Sequence, residues 1–155
     1  MKIISGGQTG ADIAGVDAAI SCQVPYGGWL PKGRKTEDKP VDKSYVNFRV
    51  MSQGGYPKRT EANIIDSDGT VLFTFGHLKG GSLLTKKISI KHNKPWLHID
   101  LNVHNDHARQ IQDWLNSFQI KTLNIAGSRA SKSPDIYNKV KKIIIKVLQK
   151  TASNL

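Results

Sequence analysis

A glycine-rich turn near the start of the chain, Gly6 to Gly10, constrains the fold more than any other feature. It follows the apolar residues Ile3 and Ile4, which predict a buried strand, and precedes a segment with helical spacing that begins near Ala11. In this order the helix N-terminus directs unpaired N–H groups and the positive end of its dipole at the turn. The turn therefore predicts a site for phosphate or another oxyanion, although many α/β proteins use such glycines only to reverse the chain.

The strand–turn–helix unit recurs twice. A buried strand at 70–75 leads to Gly80 and Gly81, and a strand at 122–126 leads to a polar turn at 127–132. Strands that alternate with helices predict a parallel sheet with right-handed crossovers. The sequence thus predicts one α/β domain over residues 1–155, with a Rossmann-like, doubly wound parallel sheet of about six strands flanked by helices in three layers (α/β/α).

Three details of this arrangement follow from local sequence. The helix after Gly81 is expected to turn Leu84 and Ile88 towards the sheet. Ser133 and Pro134 resemble an N-cap and first-turn pair that would open the last helix. The charged stretch 33–43 reads as a long loop, which is typical of a lid or a linker.

The composition narrows the range of functions but does not identify one. The 155 residues carry 23 Lys and Arg against 12 Asp and Glu, a net charge of +11, which favours anionic partners such as nucleotides, oxyanions or nucleic acid. The lysines of the last helix are better explained as a solvated face. Cys22 is the single cysteine, so neither a disulfide nor a cysteine zinc site is expected. Without a signal-like or membrane-spanning apolar segment, a cytoplasmic protein is expected.

The three turns are expected to meet at the carboxyl edge of the sheet and to form one binding site for a small anionic ligand. Arg59, on the helix before the strand at 70–75, could form two hydrogen bonds to a phosphate or carboxylate, or it could pair at the surface with Glu61 or Glu37. The predicted ligand-binding residues are Ser5, Gly6, Gly7, Gln8, Thr9, Gly10, Asp12, Gly28, Trp29, Lys32, Arg59, Gly80, Gly81, Ser82, Thr85, Gly127 and Arg129.

A group of histidines and aspartates between residues 98 and 107 could suggest a metal site. Their spacing fits no established ligand set, and a helix cap with exposed histidines explains them better, so no metal site is predicted. The residues are His98, Asp100, His104, Asp106 and His107.

Six segments together resemble the molybdenum carrier family over nearly the whole chain. The resemblance implies a Rossmann-like fold that binds a nucleotide-like or pterin-phosphate ligand, namely molybdenum cofactor, or molybdate. The segments are GGQTGAD (6–12), GGWLPKGR (27–34), YPKRTEANIIDSDGTVLF (56–73), GGSLLT (80–85), KPWLHIDL (94–101) and NIAGSRASKSPDIY (124–137).

More widely, the chain is similar to the LONELY GUY phosphoribohydrolases, once named lysine decarboxylases, and to the DNA-processing protein A. Arg59 matches the catalytic arginine of the phosphoribohydrolases, but Thr85 stands where their glutamate belongs. The missing carboxylate argues against N-glycosidic hydrolysis, unless Glu61 or Asp12 reaches the site.

Three functions therefore remain as hypotheses. The first is a binding protein for the anionic ligand, and the second is a hydrolase acting on the glycosidic bond of nucleoside monophosphates. The third is a nucleic-acid-binding module, which is disfavoured because the sequence lacks a basic strip with aromatic residues for stacking bases. The resemblance also implies a homo-oligomer that associates through the helices flanking the sheet.

Overall fold

In the described part of the chain, six strands form one sheet in which all paired neighbours run parallel. The computed structural model describes residues 1–153. The sheet order is β3-β2-β1-β6-β4-β5, so the last strand in sequence lies between the first and the fourth. The predicted Rossmann-like α/β fold is confirmed. The strands are β1 (Lys2–Ser5), β2 (Tyr26–Leu30), β3 (Phe48–Val50), β4 (Gly69–Thr74), β5 (Trp96–Asp100) and β6 (Thr122–Gly127).

Five helices cover the two faces of the sheet and complete the three layers. One face carries α1 (Ala11–Ser21), α4 (His107–Ser117) and α5 (Ile136–Ser153), and the other carries α2 (Tyr56–Asp66) and α3 (Gly80–Lys91). A short 3₁₀ turn, Lys32–Arg34, follows β2. Within residues 1–153, no helix combines the length and apolarity needed to cross a membrane.

The main hydrophobic core lies between the sheet and the layer of α1, α4 and α5. Alternate residues of β4 and β6 face this layer and are fully buried, among them Phe73 and Ile125. Helix α1 approaches the sheet closely because its buried residues are mostly alanines. At Gly15, an added Cβ would lie only 2.7 Å from the Ile125 side chain. This face supplies most of the buried apolar surface that drives folding.

The opposite face, under α2 and α3, is largely polar. Thr70 of β4 and Asn124 of β6 are register partners, both buried, and the Asn124 amide nitrogen donates to the Thr70 hydroxyl at 3.1 Å. The predicted inward orientation of Leu84 is wrong, since Leu84 is exposed and Ile88 is half-buried. Helix α3 instead packs its small hydroxyl residues against the sheet, because they match this polar strand surface. Its buried residues are Ser82, Thr85 and Ser89.

The last helix begins later than the sequence predicts. Ser133 and Pro134 lie in a turn, and regular helix starts at Ile136. The Ser133 N–H donates to the Arg129 carbonyl at 3.1 Å, and the Ile136 N–H donates to the Ser133 carbonyl at 3.0 Å. These hydrogen bonds hold residues 129–136 as successive turns, which lengthens the connection between β6 and α5.

Candidate ligand-binding crevice

A crevice of about 370 Å³ opens at the carboxyl end of the sheet, where β1, β4 and β6 finish. Its volume lies within the range usual for small-molecule sites. The turns after these three strands line it together with one side of α2, so the structure brings the three predicted turns to one place. The predicted residues that line it are Gly6, Gln8, Asp12, Arg59, Gly80, Gly81, Ser82, Thr85, Gly127 and Arg129.

Other predicted residues lie outside the lining, and three of them, Ser5, Gly7 and Gly28, shape the first turn from behind. The Ser5 hydroxyl accepts the Gly7 N–H at 3.1 Å, and Gly7 packs beneath Leu30. Gly28 has a positive φ of 121° and lies against the Ser5 backbone, where no side chain would fit. The residues outside the lining are Ser5, Gly7, Thr9, Gly10, Gly28, Trp29 and Lys32.

The N–H groups of the first turn are already engaged within the protein. Gln8 N–H donates to the Asp12 carboxylate at 3.3 Å, Thr9 N–H to the Gln8 side chain at 3.1 Å, and Ala11 N–H to the Ser128 carbonyl at 3.1 Å. The expectation that this turn offers free N–H groups to an anion is therefore wrong for these residues. The carboxylate of Asp12 accepts the Gln8 N–H that was expected to bind an anion.

Helix α3 supplies the free N-terminus instead. The N–H groups of Gly80 and Gly81 donate to no acceptor within residues 1–153, and both glycines line the crevice. The hydroxyls predicted to donate to a ligand are used locally, since Ser82 donates to the Lys79 carbonyl and Thr85 to the Gly81 carbonyl. Unpaired N–H groups at a helix N-terminus favour an anion in this part of the crevice.

Arg59 is buried at the floor of the crevice and pairs with Asp12. Its Nη1 donates to Asp12 Oδ2 at 3.2 Å, and both side chains are less than 10% exposed. Surface pairing of Arg59 with Glu61 or Glu37 is therefore wrong. The guanidinium lies directly over Gly6, where an added Cβ would be 1.7 Å from Nη1, and over the Tyr56 ring at 5.3 Å from its centre. Glycine at position 6 is thus required for the arginine to reach Asp12.

Two buried polar atoms of the lining have no hydrogen-bond partner in the described part of the chain. They are Nε of Arg59 and Oδ1 of Asn124. Buried donors and acceptors in native proteins are paired in the great majority of cases, because an unpaired one costs about 1–3 kcal/mol. These atoms indicate that the crevice floor is built to meet polar groups of a bound molecule.

The electrostatics of the crevice favour negative ligands. Within the described chain, Asp12 is the only acidic residue that contributes to the lining, whereas Arg59, Lys79, Arg129 and Lys132 all contribute. Burial raises the pKa of Asp12 to about 6, and the Arg59 guanidinium and the Gln8 N–H lower it by a smaller amount. A carboxyl group with such a pKa can exchange a proton near neutral pH.

The loop over residues 33–43 is attached by Glu37 to the turns that follow β1 and β6. Its carboxylate accepts hydrogen bonds from the Thr9 hydroxyl and from the Ser131 N–H and hydroxyl. Although partial burial raises the pKa of Glu37, these hydrogen bonds lower it more, and the net pKa lies below its ordinary value. Glu37 thereby connects this loop to the first and third turns.

Glu61 lies away from the crevice. Its carboxylate contacts His92 Nε2 at 2.7 Å and Lys91 Nζ at 3.2 Å, both at the end of α3. It therefore does not supply the carboxylate that Thr85 lacks.

Residues that the sequence reasoning missed in the lining include Asn63, His77, Lys79, Asn124 and Lys132. Asn124 had a visible signal, because it is a polar residue within an otherwise apolar strand.

No group of three or more His, Cys, Asp or Glu side chains among residues 1–153 has the arrangement of a metal site. In the histidine and aspartate group near β5, His98 Nε2 instead contacts the Thr74 hydroxyl at 2.7 Å. Asp100 accepts the Gly76 N–H at 2.7 Å, and Asp106 caps α4 by accepting the Arg109 N–H at 3.1 Å.

Comparisons with known proteins agree with the fold and the resemblance drawn from the sequence. The family model described as the circularly permutated YpsA SLOG family matches residues 3–148. The crystal structure of a putative molybdenum carrier protein from Syntrophus aciditrophicus SB is 48% identical to the chain, with a TM-score of 0.90. The match covers 95% of this chain and 93% of that one. The search of curated proteins finds no match.

Proposed function

The chain belongs to the circularly permutated YpsA SLOG family, and on this basis we propose that it is a binding protein that carries a small anionic ligand in the crevice. The ligand class is a nucleotide-like or pterin-phosphate compound, such as molybdenum cofactor, or molybdate. The name of the similar protein from Syntrophus aciditrophicus, a molybdenum carrier, supports this class.

The observation that carries the proposal is the incomplete hydrogen bonding of Arg59. A guanidinium has five N–H donors, and within residues 1–153 this one uses Nη1 for Asp12 while its buried Nε has no partner. An oxyanion in the crevice would supply acceptors for the remaining N–H groups, and the free N–H groups of Gly80 and Gly81 would add to its binding.

Native mass spectrometry of freshly purified protein, followed by calorimetric titration, tests the proposal. The titration panel is molybdate, inorganic phosphate, adenosine monophosphate, guanosine monophosphate and molybdopterin. R59A is expected to weaken binding of the best ligand about 10- to 100-fold, because charge-assisted hydrogen bonds contribute about 1.5–3 kcal/mol each. R59K should recover part of this loss, since lysine keeps the charge without the planar fork.

R49A is the matched control. Arg49 is an exposed arginine of β3 that pairs with Asp66 and lies over the Trp29 ring. Its removal should leave ligand affinity unchanged. If no member of the panel binds and no mass copurifies, or if R59A binds as well as the unchanged protein, the proposal is wrong.

The raised pKa of Asp12 supports a second candidate function, the hydrolysis of nucleoside monophosphates to a free base and ribose 5-phosphate. In this reaction the C1′–N bond would break as the oxygen of a water molecule bonds to the ribose C1′, and Asp12 would take the proton that this water loses. The base leaves with the electron pair of the broken bond, and Asp12 passes the proton to it. Arg59 would hold the 5′-phosphate.

Release of free base from a panel of nucleoside monophosphates, followed by chromatography, tests this candidate. D12N is expected to abolish base release, whereas E61Q should retain it because Glu61 pairs with α3 outside the crevice. Absence of base release from every nucleotide of the panel, or full activity of D12N, would contradict the hydrolase and leave the binding proposal unaffected.

A further inference from the structure

The Asp12–Arg59 pair places a carboxylate beside the position where an oxyanion would bind. We propose that the crevice binds its oxyanion together with one proton, which Asp12 and the ligand share in a hydrogen bond. Asp12 is thereby assigned as the residue that selects ligands able to share a proton at this point. This inference rests on the proposed function and adds to it the protonation state of the complex.

The geometry places the two negative groups on the same guanidinium. Asp12 Oδ2 lies 3.2 Å from Arg59 Nη1, and both residues line the crevice floor with exposures of only 5% and 7%. An oxyanion that accepts from the guanidinium therefore comes close to the Asp12 carboxylate. Two unit charges about 4 Å apart repel by about 4 kcal/mol at an effective dielectric constant of 20. That repulsion would offset most of the benefit of the arginine.

A shared proton converts this repulsion into attraction. A phosphate monoester has a second pKa of about 6, so its O–H can donate to the Asp12 carboxylate near neutral pH. A sulfate ion has no proton at that pH, and for it the proton must be taken up by Asp12, which then donates to the sulfate oxygen. In both complexes one proton lies between the carboxyl group and the anion, in a strong charge-assisted hydrogen bond.

Other charged groups face the same space, and their effects on anion binding have to be distinguished from the effect of Asp12. They are Arg59 of α2, His77 and Lys79 in the turn before α3, and Arg129 and Lys132 in the turn after β6. Arginine and lysine stay positive throughout the neutral range. Histidine is the residue type whose charge changes there, so the contribution of position 77 has to be measured separately from that of Asp12. The experiment therefore needs a variant at position 77.

Calorimetric titrations with sulfate, inorganic phosphate and adenosine monophosphate between pH 5.5 and 8.5 test the inference. Sulfate is the most informative probe because it does not titrate in this range. Its affinity is expected to fall about tenfold per pH unit above the Asp12 pKa of about 6 and to level off below it. Titrations in two buffers with different ionisation enthalpies should show uptake of about one proton per sulfate at pH 7.5.

Three variants assign the proton to its residue. D12N offers an amide N–H without needing a proton, so it should bind sulfate with little pH dependence and, at pH 8, about tenfold or more tightly than the unchanged protein. H77Q should keep the pH slope. E61Q, which changes a carboxylate outside the crevice, should keep it as well.

Each outcome decides between the inference and the proposed function. Anion binding that does not vary with pH, a slope that persists in D12N, or a slope that disappears in H77Q would overturn the inference while leaving the binding function intact. If none of the anions binds at any pH, the proposed function fails and the inference fails with it. If D12N does not fold, the proton count measured on H77Q decides the matter, because His77 is absent from that variant.

Discussion

At the scale of single residues, the crevice depends on how closely Gly6, Arg59 and Asp12 fit together. The arginine crosses the glycine where a methyl group would overlap its Nη1, and it ends on a carboxylate that is almost completely buried. Such an arrangement is costly for stability, because buried charges lose their hydration and one guanidinium nitrogen is left unpaired. The cost is consistent with the proposed role of these residues in binding.

G6A should displace Arg59 without disturbing the backbone, since φ at Gly6 is not positive. The new Cβ would lie 1.7 Å from Nη1, so the arginine must move away, and ligand affinity is expected to fall about tenfold or more, as for R59A. Calorimetric titration measures the loss. G55A is the control, because the nearest neighbour of its Cβ is 3.9 Å away and Gly55 does not line the crevice. Equal affinities of G6A and the unchanged protein would contradict the role of Gly6.

D12N should change how stability depends on pH. Because the pKa of Asp12 is raised from its ordinary value of 3.8 to about 6 in the folded protein, the folded state binds more protons than the unfolded state between these pH values. Its contribution to stability is therefore largest at low pH and is lost as pH rises through 6. When the pH rises from 5 to 7.5, the unfolding free energy of D12N should increase by about 1 kcal/mol relative to that of the unchanged protein. Denaturant unfolding at both pH values measures this shift, and a shift of opposite sign would contradict it.

At the scale of elements, α3 and the loop over residues 33–43 are positioned by polar contacts. Helix α3 meets the sheet through serine and threonine rather than leucine, and the loop is held by Glu37 together with Arg34, whose side chain donates to the carbonyls of Val41, Asp42 and Tyr45. Both elements border the crevice or its turns. Their attachment is specific in geometry but contributes less apolar burial than the attachment of α1 or α5.

E37Q should loosen the loop. It replaces a carboxylate that accepts three hydrogen bonds, so a loss of about 1–2 kcal/mol in unfolding free energy is expected at pH 7, with faster hydrogen exchange over residues 35–42. Since the pKa of Glu37 is lowered on folding, its contribution to stability is present above the ordinary pKa of 4.5 and is lost as pH falls through the lowered pKa. The difference between variant and unchanged protein should therefore shrink in acid.

D38N is the control for the loop, because Asp38 is an exposed neighbour on the same segment. Its stability and exchange rates should match those of the unchanged protein. Similar exchange in E37Q and D38N would contradict the attachment of the loop through Glu37.

At the scale of the whole molecule, the two faces of the sheet differ in how much apolar surface packs between sheet and helices. The layer of α1, α4 and α5 contains nearly all of the large apolar core, whereas Ile64 is the only buried apolar residue that α2 contributes and α3 contributes none. The crevice opens on the side of α2 and α3. The protein thus combines a rigid apolar face with a polar face on which ligand binding can add order.

Hydrogen exchange should show this difference. Backbone amides of α2 and α3 are expected to exchange about tenfold or more faster than those of α1 and α5, because opening the polar layer exposes less apolar surface. A bound ligand should slow exchange in α2 and at the start of α3 and leave α5 unchanged. Uniform protection across all four helices, measured by mass spectrometry with and without ligand, would contradict this difference.

Much of the fold was predictable from sequence because it depends on local patterns. The alternation of apolar strands with helical segments predicted the parallel sheet, and the three glycine-containing turns predicted where the crevice lies. The pairing of Asp12 with Arg59 was not predictable, since the two residues lie 47 positions apart and meet only in the folded protein. The inward orientation of α3 was missed for a related reason. Its partner is a polar strand surface formed by Thr70 and Asn124, 54 positions apart.

The position of β6 in the sheet determines which turn of this chain corresponds to each turn of an unpermuted relative. If β6 is counted as the first strand and β1 as the second, the sheet order becomes 4-3-2-1-5-6, the winding of an ordinary doubly wound sheet. The glycine-rich turn at residues 6–10 then follows the second strand. The turn equivalent to the first phosphate-binding turn of an unpermuted relative is the one that begins at Gly127. Ligand contacts known from unpermuted relatives should therefore be transferred to this chain by strand position in the sheet, and transfer by order in the sequence would assign them to the wrong turn.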